Sequence, residues 1–287
     1  MDGYVKKKVS IIMGIYNCEY TIAETIDSIL NQTYKNWELI MCDDGSIDQT
    51  YEIACKYAAK DNRIQLIKNK HNLGLAQTLN NCLLHSTGEY IMRHDGDDLM
   101  VEHRIEKQVE YMNSSHCDVC GAGAYLFDTE GIWGKRQPEQ KPSKNKMILG
   151  SPFIHPTVMM KKEILLKVGG YTDNELTRQR LEDYDLWIKF YEKGYVLENI
   201  QEALIYFRED KNSYNRKSKK FRVTETIARL DACRRLNIRY IKRIFAFKPL
   251  IVAMIPNKAL RRYHLWKSSQ NSSTPKVKVF DEGKESI

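Results

Sequence analysis

Three carboxylates fall within four positions at Asp95-Gly96-Asp97-Asp98, directly after the apolar run Tyr90-Ile91-Met92. Holding carboxylates so close costs on the order of several kcal/mol unless something compensates. The usual compensation is a hard divalent cation taking oxygen ligands, often shared with substrate phosphates. A solvated Asp/Gly turn closing a hairpin is the alternative, since a short motif alone is only a hypothesis. Two further acidic pairs stand at Asp43-Asp44, followed by Gly45-Ser46, and at Glu182-Asp183. The second pair heads a stretch with helical spacing, where first-turn carboxylates are favoured by the helix dipole. His155, before Pro156, can meet a ligand or be a histidine satisfied by backbone.

The elements around these residues decide what they can do. Val9 to Met13 is a β-branched, apolar strand, and Tyr20 to Gln32 carries apolar residues at helical spacing (Ile22, Ile26, Ile29, Leu30). Trp37 to Cys42 is a second strand. Ser46-x-x-Gln49 offers a capping box for a helix running to about Ala59. Ile64 to Lys68, Leu75 to His85 and Glu89 to Arg93 read as strand, helix and strand. Strands alternating with helices predict right-handed βαβ units and a mostly parallel sheet with helices on both faces. Ligands in such sheets sit at the carboxyl ends of strands, where Asp43-Asp44 and Asp95 to Asp98 both fall. Two acidic clusters on one rim favour a site over a turn.

Beyond Asp98 the pattern changes. Glu102 to Asn113 is predicted helical, Asp118 to Phe127 extended, and Asp128 to Lys146 polar with turn residues. Phe153 to Met160 is expected as a strand containing His155-Pro156, Leu181 to Glu192 as a helix, and Val196 to Phe207 as extended. The turn after the first strand, Gly14-Ile-Tyr-Asn-Cys-Glu, lacks G-x-G-x-x-G, and no P-loop lysine motif occurs, which removes support for NAD(P) binding and ATP hydrolysis. Seven cysteines without framework spacing imply a reducing cytoplasm, and Cys117 and Cys120 read as core residues flanking a strand.

These motifs together resemble the family 2 glycosyltransferases. The resemblance rests on Val9-Ser-Ile-Ile-Met-Gly-Ile-Tyr-Asn17, Asp43-Asp44-Gly45-Ser46, Asn72-Leu-Gly74-Leu-Ala, Asp95-Gly-Asp97-Asp98, His155-Pro156 and Glu182-Asp183, over roughly residues 8 to 208. It is strongest with bacterial enzymes of O-antigen, capsule or lipooligosaccharide synthesis. It implies an α/β GT-A fold: a Rossmann-like, mostly parallel sheet with helices on both faces, with a nucleotide-binding half at about 1–98 and an acceptor-binding half at about 99–210. It also implies a UDP-hexose or N-acetylhexosamine donor, Mn²⁺ or Mg²⁺, inversion at the anomeric carbon, and a saccharide acceptor, in this family an undecaprenyl-diphosphate-linked one, at the cytoplasmic face of a bacterial inner membrane. By the same resemblance Gly14, Ile15 and Tyr16 line the uridine pocket, Asp44 accepts from the uracil imide, and Asp97 ligates the metal. Asp95 contacts the metal or ribose, Asp98 orients the sugar, Glu182 borders the donor, and Asp183 is the catalytic base. Two departures stand out: Gly14 replaces a common proline and frees the backbone there, and Gln77-Thr78 replace an arginine that assists phosphates, leaving that task to Lys70, Arg93 or Arg180. A nucleotidyltransferase and a non-catalytic sugar-nucleotide-binding scaffold are the alternatives.

The C-terminal region is a different kind of surface. Of 45 Lys/Arg and 37 Asp/Glu, 17 bases and only two acids lie between Lys211 and Lys267. Phe221 to Leu236 is predicted helical, and the apolar run Ile244 to Ile255, broken at Lys248-Pro249, is too short to span a bilayer. Residues 211–267 are expected as a basic helical extension. Residues 239–267 read as an interfacial anchor for anionic membrane or as a helix packed on the catalytic body. Nucleic acid is disfavoured because no recognised module accompanies the charge. Residues 268–287 are expected to be disordered.

Overall fold

The computed structural model describes residues 7–209 and 219–254. Four strands, β1 (Val9–Ile15), β2 (Trp37–Asp43), β3 (Ile64–Lys68) and β4 (Tyr90–Arg93), pair in parallel in the order β3-β2-β1-β4. Each crossover is a helix: α1 (Ile22–Leu30), α2 (Thr50–Lys60) and α3 (Leu75–His85). The near-continuous apolar runs of β1 and β2 follow from burial on both faces. Ile12 and Ile40 point into a core shared with Ala76, Leu79 and Cys82 of α3. Their neighbours Ile11, Met13, Leu39 and Met41 point into a core shared with Ile22, Ile26 and Ile29 of α1. This is the period-two alternation of a strand, expressed between two apolar layers.

The sheet continues without interruption into the second half, where strand directions mix. β5 (Leu99–Met100) is short, and α4 (Arg104–Ser114) leads into β6 (Val119–Asp128) and β7 (Gly131–Arg136). β8 (Met159–Lys161) joins β4 to β6, and β9 (Leu197–Arg208) runs parallel to β6 with β5 on its other side. Between β8 and β9 lie α5 (Lys162–Lys167) and α6 (Glu182–Glu192). The C-terminal extension consists of α7 (Lys219–Arg235), a 3-10 segment at Tyr240–Phe247 and α8 (Lys248–Ala253).

Several local expectations are corrected. Ser46 does not cap α2: its hydroxyl accepts from the Asn17 N–H, while Asp48 Oδ1 accepts from the Thr50 N–H at 3.0 Å. The expected strand from Phe153 shrinks to Met159–Lys161 and is preceded by a 3-10 turn at His155–Thr157. Pro156 has no N–H to give a ladder, so the chain turns there. β7 falls in the stretch expected to be polar with turn residues, and α5 is a further short helix with Ile164 and Leu165 buried. Gly14 is not a point of backbone freedom: it sits in regular parallel register with Cys42, and a Cβ there would lie 3.1 Å from Leu75 and Thr78 side-chain carbons. Its role is to let α3 approach β1.

Lys248-Pro249, expected as an interruption, begins α8, where proline suits the first helical turn. The inner face of the extension packs on the α/β body, since Ala228, Ala232, Cys233 and Leu236 share a core with Leu186, Trp187 and Phe190 of α6. Among the described residues no helix is long and apolar enough to cross a membrane. All seven cysteines are free, and Cys117 and Cys120 are buried. Residues 211–218, 255–267 and the tail 268–287, on which part of the extension and the disorder expectation fall, lie outside the described residues.

Candidate functional site

β4 ends at Arg93, and the chain turns immediately into the acidic loop. Asp95, Asp97 and Asp98 each offer a carboxylate oxygen, all within 4.8 Å of one another. Gly96 makes the turn possible, because a Cβ there would lie 3.2 Å from both Ile15 Cγ2 and Cys18 Sγ. The loop therefore packs directly on the end of β1. Thr21, just before α1, and Thr25, within it, donate hydroxyls to the carbonyls of Gly96 and Asp98, both at 2.9 Å.

The electrostatics are costly. Asp98 is buried; its Oδ1 accepts the Arg208 N–H at 2.8 Å, while its Oδ2 finds no hydrogen-bond partner among the described residues. Loss of water, then Asp95 and Asp97, push its carboxyl well above the ordinary range. Asp97 faces solvent on one side, yet loss of water on the other and the Asp95 charge raise it to about 6. Beneath the loop the buried Arg93 guanidinium is ion-paired with Asp95, and two of its nitrogens, Nε and Nη1, have no partner among the described residues. Burial opposes the Arg93 charge, but Asp95 outweighs it and raises its pKa. A second buried arginine, Arg104, binds the Arg93 and Pro156 carbonyls and the His94 ring, bracing the strand end.

Arg208, at the end of β9, is the residue that sequence reading missed. Its Nε donates to the Asp97 carbonyl at 2.9 Å and its Nη2 to Glu24 at 2.8 Å, and its guanidinium lies 4.5 Å from the Phe127 ring centroid. It ties the acidic loop to α1 and to the second half of the sheet. Contacts 110 positions apart leave no local signal.

The Asp43-Asp44 cluster, at the carboxyl end of β2, is arranged differently. Asp44 Oδ1 accepts from Asn69 Nδ2 at 2.9 Å and the Leu73 N–H at 2.8 Å, and Oδ2 accepts from the Gly74 N–H at 2.9 Å. A carboxylate has about four acceptor positions, so one remains on Asp44 for a ligand. Asp43 is fully buried and accepts from the Ser46 N–H. Gly14 and Ile15 pair with Cys42 and Asp43 at the same rim, and Tyr16 stands beyond them with 48% of its surface exposed.

The third acidic pair begins α6. Glu182 is buried, and loss of water, then the Asp183 charge, raise its carboxyl to about 7, with Arg93 and Asp95 also acting on it. The start of α6 and the acidic loop thus share one electrostatic environment. Asp183 is half-buried beside it. Tyr171, on which the charges of Arg93, Glu182, Asp183 and Asp95 all act, has its backbone N–H and carbonyl both held by Asn80 of α3 at 2.8 Å. Its hydroxyl meets His155 Nε2 at 2.9 Å. His155 is satisfied by this side chain rather than by backbone, and burial followed by the Arg93 charge keeps the ring neutral. Of the cations considered for phosphate, Arg93 is buried against Asp95, while Lys70 and Arg180 are exposed.

Three crowded carboxylates, one with an orphaned buried oxygen, fit a divalent cation that would relieve their repulsion. The donor set is all oxygen, which suits Mg²⁺ or Mn²⁺ rather than a thiolate-preferring metal.

Residues 10–169 match the family described as glycosyl transferase family 2. The chain is 48% identical to EpsE of Bacillus subtilis over 259 residues, covering 90% of this chain and 93% of that one. It is 32% identical over 188 residues to the Escherichia coli UDP-Glc:alpha-D-GlcNAc-diphosphoundecaprenol beta-1,3-glucosyltransferase WfgD, covering 66% of this chain and 70% of WfgD. Among solved structures, S. aureus TarS 1–349 in complex with UDP-GlcNAc superposes with a TM-score of 0.67 at 19% identity, over 90% of this chain and 79% of that one. The mannosyltransferase PcManGT from Pyrobaculum calidifontis, in complex with GDP-Man and Mn²⁺, superposes with a TM-score of 0.60 at 17% identity, over 92% and 81%. At these identities both likenesses are of fold.

Proposed function

We propose a specific reaction for this chain, which belongs to glycosyl transferase family 2: inverting transfer of a hexose or N-acetylhexosamine from a UDP-sugar to a saccharide acceptor in bacterial surface polysaccharide synthesis. The observation that carries it is the pairing of an under-satisfied acidic loop at the end of β4 with Glu182-Asp183 at the start of α6. Family membership favours this over the nucleotidyltransferase and scaffold readings.

Asp97 and Asp95, with the buried Asp98 behind them, would hold a divalent cation, which when bound supplies positive charge to the donor diphosphate. Arg93 fixes Asp95 from below, and Arg208 holds the loop backbone from the side. Gly14, Ile15 and Tyr16 line the nucleotide pocket, and Asp44 offers its remaining acceptor position to the base. Asp183 takes the proton of an acceptor hydroxyl as that oxygen bonds to the anomeric carbon. The bond to the phosphate oxygen breaks on the opposite side, and UDP leaves with the electron pair. A single displacement of this kind inverts the centre. Glu182, its carboxyl raised to about 7 by burial and the Asp183 charge, borders the donor.

WfgD's name specifies a diphosphoundecaprenol-linked acceptor, which supports a lipid-linked acceptor here and work at the cytoplasmic face of the inner membrane, with the basic extension at the lipid surface. The test is UDP release from UDP-Glc, UDP-GlcNAc, UDP-Gal and UDP-GalNAc with Mn²⁺, with Mg²⁺ and with EDTA, repeated for Asp183→Asn. The expected result is metal-dependent release with one preferred donor, and an Asp183→Asn enzyme that binds donor but does not transfer. Near-normal turnover by Asp183→Asn would remove Asp183 from the role of base.

A further inference from the structure

The C-terminal extension has an inner face accounted for by packing and an outer face that is not. Tyr240, Ile241, Ile244 and Phe245 are 83%, 86%, 70% and 55% exposed, and Ile251 of α8 and Met254 just after it are 59% and 80% exposed. In the preceding helix, Val223, Ile227 and Leu230 of α7, at the i, i+4, i+7 positions of one stripe, are also exposed. Large apolar groups gathered this way mark an interaction surface rather than scattered surface residues.

We infer that α7, the 3-10 segment and α8 together form a docking surface for an anionic lipid bilayer, rigidly joined to the helix that bears the proposed base. Charge selects this occupant. Arg239, Lys242, Arg243 and Lys248 interleave with the apolar residues, and the sequence between Asp231 and Met254 contains no acid. The desolvated centre of a protein–protein interface is depleted of charge, and lysine above all. A surface lying in the headgroup layer combines apolar and aromatic side chains with Lys/Arg that reach lipid phosphates. Insertion is shallow, because no described helix is long and apolar enough to cross.

The joint to the catalytic body is stiff. Arg235 of α7 grips Glu192 of α6 with two bonds, Nε at 2.9 Å and Nη2 at 2.6 Å, and reaches Asp185 with Nη1 at 2.6 Å. Arg229 donates to the Ile148 carbonyl at 2.9 Å. A bidentate arginine fixes orientation as well as distance, so docking the outer face sets the orientation of α6, and with it Asp183, to the lipid surface. That consequence for the acceptor rests on the proposed reaction; the lipid contact does not.

The test is co-sedimentation of the full chain with vesicles of phosphatidylcholine alone and of equal parts phosphatidylcholine and phosphatidylglycerol. UDP release from the preferred donor with a soluble acceptor is measured in parallel. Wild type should sediment with the anionic vesicles and remain in solution with the neutral ones. Ile241→Glu with Ile244→Glu, and separately Arg239→Ser with Lys242→Ser and Lys248→Ser, should each weaken binding by about tenfold or more, the loss expected from removing a few apolar or basic contacts. Both variants should keep wild-type melting temperature and UDP release. Equal binding to neutral vesicles, unchanged binding of the Ile241→Glu/Ile244→Glu chain, or conversion of a wild-type dimer to monomer by that pair would each overturn the proposal, the last by assigning the surface to a second copy. Failure of UDP release with intact vesicle binding would count against the proposed reaction and leave the docking surface standing.

Discussion

Asp43-Asp44 and Asp95 to Asp98 stand at the ends of β2 and β4, on either side of β1 along one sheet rim, and the sequence presents them as near equivalents. The structure separates them by how their oxygens are used. Asp44 accepts three N–H donors, two of them backbone, and so organises the 69–74 loop. The Asp95–Asp98 loop keeps an orphaned oxygen on Asp98 and carboxyls at Asp97 and Asp98 raised by crowding and loss of water. A carboxylate satisfied by the chain stabilises the fold. Carboxylates that the chain leaves in conflict cost stability, here offset in part by Arg93, and mark a candidate ligand site.

Substitutions at the two clusters should therefore fail in opposite ways. Asp97→Asn should lower kcat by about 10²–10³, the scale of losing one electrostatic contact to a developing charge, while leaving the unfolding midpoint unchanged or higher. Asp44→Asn should do the reverse. It places an amide N–H₂ against backbone donors and should cost about 1–3 kcal/mol of stability in urea unfolding, with donor affinity weakened and kcat largely kept. If Asp44→Asn abolished turnover without loss of stability, the distinction between the clusters would collapse.

Glu182 sharpens the same contrast through pH. Its folded-state carboxyl is raised to about 7 from 4.5, so the folded chain favours the protonated form. The contribution of this group to stability is fully present below the unfolded value and declines as pH rises from about 4.5 through 7. Glu182→Gln should match wild type near pH 4.5 and be more stable by about 1–3 kcal/mol at pH 8. A difference between the two chains that is the same at both pH values would show that burial of Glu182 carries no such penalty. A smaller effect is expected from Arg208→Met, which removes the side-chain brace on the acidic loop but touches no reacting atom. About tenfold in kcat/KM is expected, the lower end for groups that orient metal ligands, with weaker Mn²⁺ binding measured without donor. Unchanged Mn²⁺ affinity would reduce Arg208 to a structural role.

The strands and helices of the first half were legible because their periodicity is local: β1 to β4 and α1 to α3 stand within two or three residues of where the apolar pattern placed them. The acidic residues were legible as candidates because topology puts strand ends on one rim. Their division of labour was not, since it depends on which N–H groups reach Asp44 and which do not reach Asp98. Arg208 and the Asn80–Tyr171–His155 chain were also invisible, as each joins residues from separate elements with no pattern of its own. The capping box failed for a related reason. Ser46 was drawn to Asn17 across the rim, and Asp48 took its place at the start of α2.

The central claim is that only the second cluster binds metal, and a titration of Mn²⁺ followed by the electron paramagnetic resonance signal of the free ion measures it directly. Wild type and Asp44→Asn should each take up Mn²⁺ at a site strengthened by UDP, and Asp97→Asn should not. Mn²⁺ uptake by folded Asp97→Asn equal to wild type, or its loss in folded Asp44→Asn, would contradict the account.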